Sequence, residues 1–246
     1  MIEVRGLVKS YADTPALAGV TFDVAKGEVV GFLGPNGAGK TTTLRILSTY
    51  HTPDSGTASV AGFDVVRQPM EVRRRLGYLP EHPPVYLDHT VEEYLRFCAA
   101  LRGVPRRTRR AAVDEVLAKC GLAHVRGRLI GNLSKGYRQR TGLAQALVHR
   151  PEVVILDEPT VGLDPQQIRE IRNLVRSLAV DHTVLLSTHI LSEVAMTCTR
   201  AIVIHRGRIV AADALDALGG AAGLEETFVR LTSDDAVEPV AAEGAP

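Results

Sequence analysis

Long apolar runs are missing from this chain. No stretch approaches the roughly 18 residues that a bilayer-crossing helix needs, and the opening Met1-Ile2-Glu3-Val4-Arg5 carries no secretory apolar segment. Cysteine is scarce as well. Cys98, Cys120 and Cys198 are dispersed, without metal-ligand spacing or the density of a disulfide scaffold. They are expected to be reduced, mostly buried thiols of a cytosolic protein. Aromatic residues amount to 4% of the chain, too few to supply stacking platforms among the arginines, so no nucleic-acid partner is expected. Internal repeats and sustained heptads are absent.

What is there suits a soluble globular protein. The 246 residues are 45% hydrophobic and 23% charged, enough to bury a substantial core in one large domain or one with subdomains. Net charge is only +1, but unevenly spread. Residues 82–150 hold Arg102, Arg106, Arg107, Arg109, Arg110, Arg126, Arg128, Arg138 and Arg140 against few acids, whereas the acids predominate after residue 212. The asymmetry reads first as a solvated basic face and second as a surface lying near anionic lipid headgroups.

The most informative segment is Gly34-Pro35-Asn36-Gly37-Ala38-Gly39-Lys40-Thr41-Thr42. Two glycines flank four residues before Lys-Thr, the pattern of a phosphate-binding loop. The apolar run Val29-Val30-Gly31-Phe32-Leu33 precedes it and a helical pattern follows, which is the context the motif requires. Glycines allow the backbone to wrap around oxygens, and successive N–H groups with the helix N-terminus supply positive potential. Lys40 adds a point charge for the β- and γ-phosphates, and the Thr41 hydroxyl can ligate magnesium.

Along the chain, Ile2-Val4, Thr21-Val24 and Thr57-Val60 suggest antiparallel strands around that loop. The middle third turns helical. Thr90 with Glu93 forms a capping box, a second amphipathic helix follows the Gly103-Val104-Pro105 break, and a third starts near Ser134. From residue 151, Val153-Val154-Ile155-Leu156 and Thr183-Val184-Leu185-Leu186 read as parallel strands buried on both faces. Between them Asp164-Pro165 opens a helix as N-cap and first residue. A final strand covers Ala201 to Ile204, and the turn Arg206-Gly207-Arg208 is expected to lead out of the core. The last dozen residues read as a mobile tail.

A phosphate loop alone does not choose among kinases, GTPases and motor ATPases. Asp157-Glu158 closes a buried strand, where Asp157 can hold the magnesium shell and Glu158 can polarise an attacking water. Ser134 caps a helix whose first turn contains Gly136, offering a hydroxyl, N–H groups and a dipole to an anion. Pro159-Thr160-Val161-Gly162-Leu163-Asp164 and Ser187-Thr188-His189 follow in order.

With those motifs in place the chain resembles the nucleotide-binding subunits of ATP-binding cassette (ABC) transporters over nearly its whole length. Residues 34–42 look like Walker A, 133–139 like the ABC signature, 153–158 like Walker B, 159–164 like the D-loop, and His189 like the switch histidine. Tyr11 matches the aromatic position that stacks on adenine. Two departures place the subfamily. Lys135 and Tyr137 stand where the usual signature has Gly and Gln, and Gly77-Tyr78-Leu79-Pro80-Glu81 ends in Glu where most members have glutamine. With Leu224-Glu225-Glu226-Thr227-Phe228, this is similar to subunits serving ABC-2 type exporters.

The resemblance implies an α/β fold of the ABC ATPase type: a P-loop NTPase with a RecA-like core, an N-terminal antiparallel β subdomain and an inserted helical subdomain. The expected division is an ATPase domain of 1–212, with core 1–81 and 151–212 and helices 82–150, followed by an extension over 213–246. It implies ATP and Mg2+ as ligands. Lys40, Glu158 and His189 would be catalytic, and Thr41, Glu81 and Asp157 would lie at the metal. Two cassettes, identical or related, would pair head to tail so that Ser134 and Gly136 of one complete the Walker site of the other. Separate integral-membrane permease subunits would hold the pair at the cytoplasmic face. Competing readings are a soluble ABC ATPase in DNA repair or translation, another P-loop class such as a small-molecule kinase, and a module that binds ATP without hydrolysing it.

Overall fold

A computed structural model describes residues 1–232; the expected mobile tail lies outside them. Strands β1 (Ile2–Tyr11) and β2 (Thr14–Val24) form a hairpin. After β3 (Val29–Leu33) and α1 (Lys40–Leu47), β4 (Ser55–Val60) returns to pair antiparallel with the other side of β1, and β5 (Phe63–Asp64) extends that sheet before the short helix α2 (Pro69–Arg75). Its inward positions, Ile2, Val4, Leu7, Val20, Phe22, Ala58 and Val60, are buried, as the period of two along a strand demands.

The second sheet runs β10-β9-β3-β8-β7-β6. It comprises β3, β6 (Leu76–Leu79), β7 (Val153–Asp157), β8 (Thr183–Thr188) and β9 (Arg200–His205) in parallel, with β10 (Arg208–Ala214) antiparallel at one edge. The turn at Arg206 and Gly207 therefore does not leave the core as expected. It folds back as β10, and Gly207 docks on the first sheet and the phosphate loop, accepting from Ala18 N–H at 2.8 Å and donating to Ala38 O at 3.0 Å.

Side chains alternate across this sheet. Val30, Phe32, Val153, Ile155, Leu185, Ile202 and Ile204 face the first sheet and α1, forming one core. Val29, Leu33, Val154, Leu156, Val184, Leu186, Ala201 and Val203 face the opposite way. There they meet α6 (Pro165–Leu178), α7 (Leu191–Thr197), α8 (Gly220–Thr232) and the helices between β6 and β7. Gly31 makes the seat for α7, because a Cβ there would lie 2.6 Å from Val194. Each fully buried aliphatic side chain contributes about 1.5–3 kcal/mol relative to exposure, so two such cores hold the strand ends rigidly.

Between β6 and β7 lie α3 (Val91–Leu101), α4 (Arg106–Lys119) and α5 (Lys135–Leu147). The Thr90–Glu93 capping box is complete, with Thr90 N–H donating to the Glu93 carboxylate at 2.9 Å and Glu93 N–H donating back to the Thr90 hydroxyl at 3.3 Å. Asp164 caps α6 through the N–H groups of Gln166 and Gln167, with Pro165 at the first helical position. Several arginines of this region meet acids of the same chain: Arg126 with Glu92 and Asp114, Arg140 with Glu170, and Arg150 with Glu115. All three cysteines are free and buried.

Candidate nucleotide site

Four neighbouring strands, β3, β8, β7 and β6, end on one side of the sheet. The phosphate loop follows β3, His189 follows β8, Asp157 and Glu158 close β7, and Glu81 follows β6. Carboxyl ends of parallel strands are where α/β sheets bind ligands. Here they open onto a cavity of about 370 Å³ lined by Asn36, Gly37, Gly39, Lys40, Thr41, Thr42, Glu81, Glu158 and His189, together with Ala16 and Val161. Those last two were not singled out from the sequence. Val161 could have been, since it lies in the segment after Glu158-Pro159, whereas nothing marks Ala16 within β2.

The loop has the backbone that its glycines permit. Gly37 and Gly39 sit at φ of 79° and 107°, and Gly39 is the N-cap of α1. Gly34 is required for closeness, since a Cβ would fall 2.3 Å from the Ile204 carbonyl oxygen. Ala38 is buried and its N–H donates to Pro35 O at 3.2 Å. Lys40 is 6% exposed, and its Nζ donates to Gly34 O at 2.7 Å and Pro35 O at 3.2 Å. Burial lowers its pKa from the ordinary lysine value, while Glu158, Asp157 and Glu81 oppose that shift.

The carboxylates are held differently. Glu158 is 8% exposed; its Oε1 lies 2.9 Å from His189 Nδ1 and 3.8 Å from Lys40 Nζ, and its Oε2 is buried without a partner. Its backbone takes φ of 47°, in the left-handed region that non-glycine residues seldom occupy. Asp157 is 2% exposed and its Oδ1 has no partner. Burial raises its pKa, the nearby Ser187 and Thr41 hydroxyls pull the other way, and the charges of Glu158 and Glu81 push it further up.

Such a set suits a magnesium nucleotide. Buried Asp157 leaves an acceptor open, and three negative groups face one lysine. Among the described residues no group of three His, Cys, Asp or Glu side chains could hold a metal by itself. Magnesium is commonly bound by one or two carboxylates plus phosphate oxygens, and Thr41, Asp157 and Glu81 are the residues that would supply the protein's share of such a shell.

Gly34, Pro35, Ala38 and Asp157 belong to the loop and strand that carry the lining without lining the cavity themselves, and Tyr11, Ser134 and Gly136 lie away from it. Tyr11 stands 42% exposed at the end of β1, edge-on to His51 with ring centroids 5.9 Å apart. Ser134 occupies the N-cap of α5, but its hydroxyl caps no helix N–H. Gly136 lines a separate cleft with Asp164 and Gln167, and a Cβ there would meet the Gln167 side chain at 2.6 Å.

A family model described as ABC transporter matches residues 17–161. The chain belongs to the ABC transporter family. It is 40% identical over 212 residues to the bacitracin transport ATP-binding protein BcrA of Bacillus licheniformis, covering 85% of this chain and 68% of that protein. Identity to the daunorubicin/doxorubicin resistance ATP-binding protein DrrA of Streptomyces peucetius is 39% over 243 residues, 98% of this chain and 73% of that one. A solved ATP-binding subunit of an ABC transporter superposes with a TM-score of 0.85 at 32% identity, covering 95% of this chain and all of the other. As an ABC ATPase the chain binds and hydrolyses ATP, and the resemblance to ATP-binding subunits of the ABC-2 exporter group holds. No described helix is long and apolar enough to cross a membrane.

Proposed function

We propose that this chain is the ATP-hydrolysing subunit of an ABC-2 type exporter, working as one half of a pair of cassettes bound to a separate membrane permease. The observation that carries the proposal is the convergence of Lys40, Glu158 and His189 at adjacent strand ends, with Glu158 Oε1 reaching both partners. In this reading the N–H groups of residues 34–42 and the Lys40 ammonium hold the β- and γ-phosphates. Lys40 exchanges its two loop carbonyls for phosphate oxygens, and the added negative charge favours its protonated form. Thr41, Asp157 and Glu81 would hold Mg2+, which would supply charge neutralisation for the phosphates. Glu158 accepts a proton from the attacking water, while His189, oriented through Nδ1, turns its other nitrogen to the γ-phosphate. Tyr11 stacks on adenine.

Ser134 has an uncommitted hydroxyl, and neither it nor Gly136 lines the phosphate cavity of the same chain. This supports their serving the cavity of a second cassette, identical or related. Closure of the pair excludes water and strengthens every charge contact with the phosphates. Cleavage of the γ-phosphate removes the shared ligand, and the pair separates.

The division expected from sequence is part of the reading: core 1–81 and 151–212, helical subdomain 82–150, extension after 212. The permease would bind a groove of about 670 Å³ where the helices meet the sheet edge, just beyond Glu81. Met70, Tyr86, Phe97 and Leu101 are exposed along it, with Arg73 and Arg102 among its walls. An amphipathic helix with acidic flanks fits such a surface. DrrA, one of the relatives above, is named for drug resistance, which favours outward transport here. Attachment through the permease puts the chain at the cytoplasmic face of the membrane. The test is Glu158→Gln: it should bind ATP like the parent and hydrolyse it at least 100-fold more slowly, on the order expected for a lost general base. Turnover within a few-fold of the parent would remove Glu158 as the base.

A further inference from the structure

Glu193, in the first turn of α7, is 5% exposed and has no place in the roles just described. Its two carboxylate oxygens are taken by hydroxyls from two different segments. Thr160 Oγ1 donates to Oε1, and Thr188 Oγ1 donates to Oε2 at 3.1 Å. Thr188 Oγ1 also accepts the Ile190 N–H at 3.1 Å. Both threonines are buried, Thr188 completely. A cavity of only about 10 Å³ adjoins the carboxylate, room for roughly one water at most. Glu193 therefore serves the protein and not a ligand.

The two hydroxyls sit beside the two groups that matter. Thr160 lies two residues after Glu158; Thr188 immediately precedes His189. Glu158 holds an unfavourable positive φ, which persists only where the surroundings over-determine it. Upstream, its N–H is fixed to Ser187 O at 2.9 Å. Downstream, the anchor is the Thr160–Glu193 bond. On the other strand the Thr188–Glu193 bond, with the Ile190 N–H, sets the backbone on both sides of His189. The result is the 2.9 Å contact between Glu158 Oε1 and His189 Nδ1.

We propose that Glu193 is a positioning residue for hydrolysis, a buried carboxylate that clamps the D-loop to the end of β8 and so sets Glu158 and His189 in register. The inference rests on the assignment of Glu158 as base and His189 as γ-phosphate contact. A carboxylate is suited to the task because it accepts from two hydroxyl donors at once. Alanine would free both segments and leave two hydroxyl protons without their acceptor. Glutamine keeps one acceptor oxygen, and its NH2 can donate to the second hydroxyl after that hydroxyl rotates.

Steady-state ATPase kinetics and equilibrium ATP binding on the full chain test this. Glu193→Ala should lower kcat by about 10- to 100-fold, the scale of a small misplacement of reacting groups, with KM and Kd for ATP within about twofold of the parent. Glu193→Gln should recover kcat to within about fivefold. Combined with Glu158→Gln, Glu193→Ala should cost less than about twofold more, because its effect passes through Glu158. If Glu193→Ala fails to fold, Thr188→Val and Thr160→Val each cut one arm, and each should lower kcat by about 3- to 10-fold at unchanged KM. Parental kcat in Glu193→Ala, or in both threonine variants, overturns the clamp, as does its full effect persisting beside Glu158→Gln. A Glu158→Gln protein with parental turnover removes the base assignment and the inference with it. An inactive Glu158→Gln with a fast Glu193→Ala removes the inference alone.

Discussion

Glu81 follows β6 and lines the phosphate cavity with its side chain 45% exposed. Its charge is felt by both Lys40 and Asp157. A carboxylate offers oxygen to magnesium but, unlike an amide, donates nothing and adds negative charge beside the γ-phosphate. Glu81→Gln should therefore retain ATP binding while shifting the Mg2+ concentration for half-maximal turnover, upward by about 2- to 10-fold as one charged ligand is lost. Superimposable magnesium titrations of the two proteins would contradict this. At this scale the sequence was informative wherever chemistry fixes local spacing: the loop glycines with Lys40 and Thr41 form one contiguous motif and the Asp157-Glu158 pair another, although the two lie far apart in the chain. Glu193 and Ala16 were invisible for the opposite reason. Their partners come from other elements, and no local pattern records a contact made across 33 residues, the separation of Thr160 and Glu193.

At the scale of elements, His149 follows α5 and ties it to β6, with Nε2 3.2 Å from Leu76 O and Nδ1 buried without a partner. Burial, with Arg102 next in importance, pushes its pKa down to about 4, against the pull of the Leu76 carbonyl. A histidine whose folded pKa lies below its unfolded value near 6.5 takes up its proton preferentially in the unfolded chain. Its contribution is thus intact above about pH 6.5 and lost as pH falls toward about 4, amounting to roughly 3 kcal/mol at most. His182, also lowered chiefly by burial, adds to the same trend. Chemical denaturation at a series of pH values should find His149→Gln less acid-sensitive than the parent between pH 6.5 and 4. Equal slopes would rule out His149 as a source. The same junction explains which elements were hard to foresee. Strand β6 has four residues, one of them a glycine where a Cβ would fall 2.2 Å from Ala146 O. Its identity comes from α5 packed on it and β7 beside it. Similarly α7 is a single short helix seated on Gly31, and β10 exists because β9 offers an edge. Long periodic segments with caps, such as α3 and α6, were legible because their signals are local.

For the whole molecule, the placement of the two sets of residues is what supports the proposed pairing. Rigid cores on both faces of the parallel sheet present Lys40, Glu158 and His189 at one rim, while Gly136 opens elsewhere, beside Asp164 and Gln167, and Ser134 lies outside the phosphate cavity. That separation could be expected from the motifs only through the family resemblance, since no spacing in the sequence says which surface a partner covers. The proposed action, closure of two cassettes on shared ATP followed by separation, makes assembly depend on the nucleotide. Light-scattering mass of Glu158→Gln tests this most directly, measured at saturating ATP and again with ADP. The expected result is a species of twice the 26.5 kDa chain mass with ATP that reverts to the single chain with ADP. A 26.5 kDa monomer at saturating ATP, from a chain whose parent hydrolyses ATP at full rate as a monomer, would contradict it.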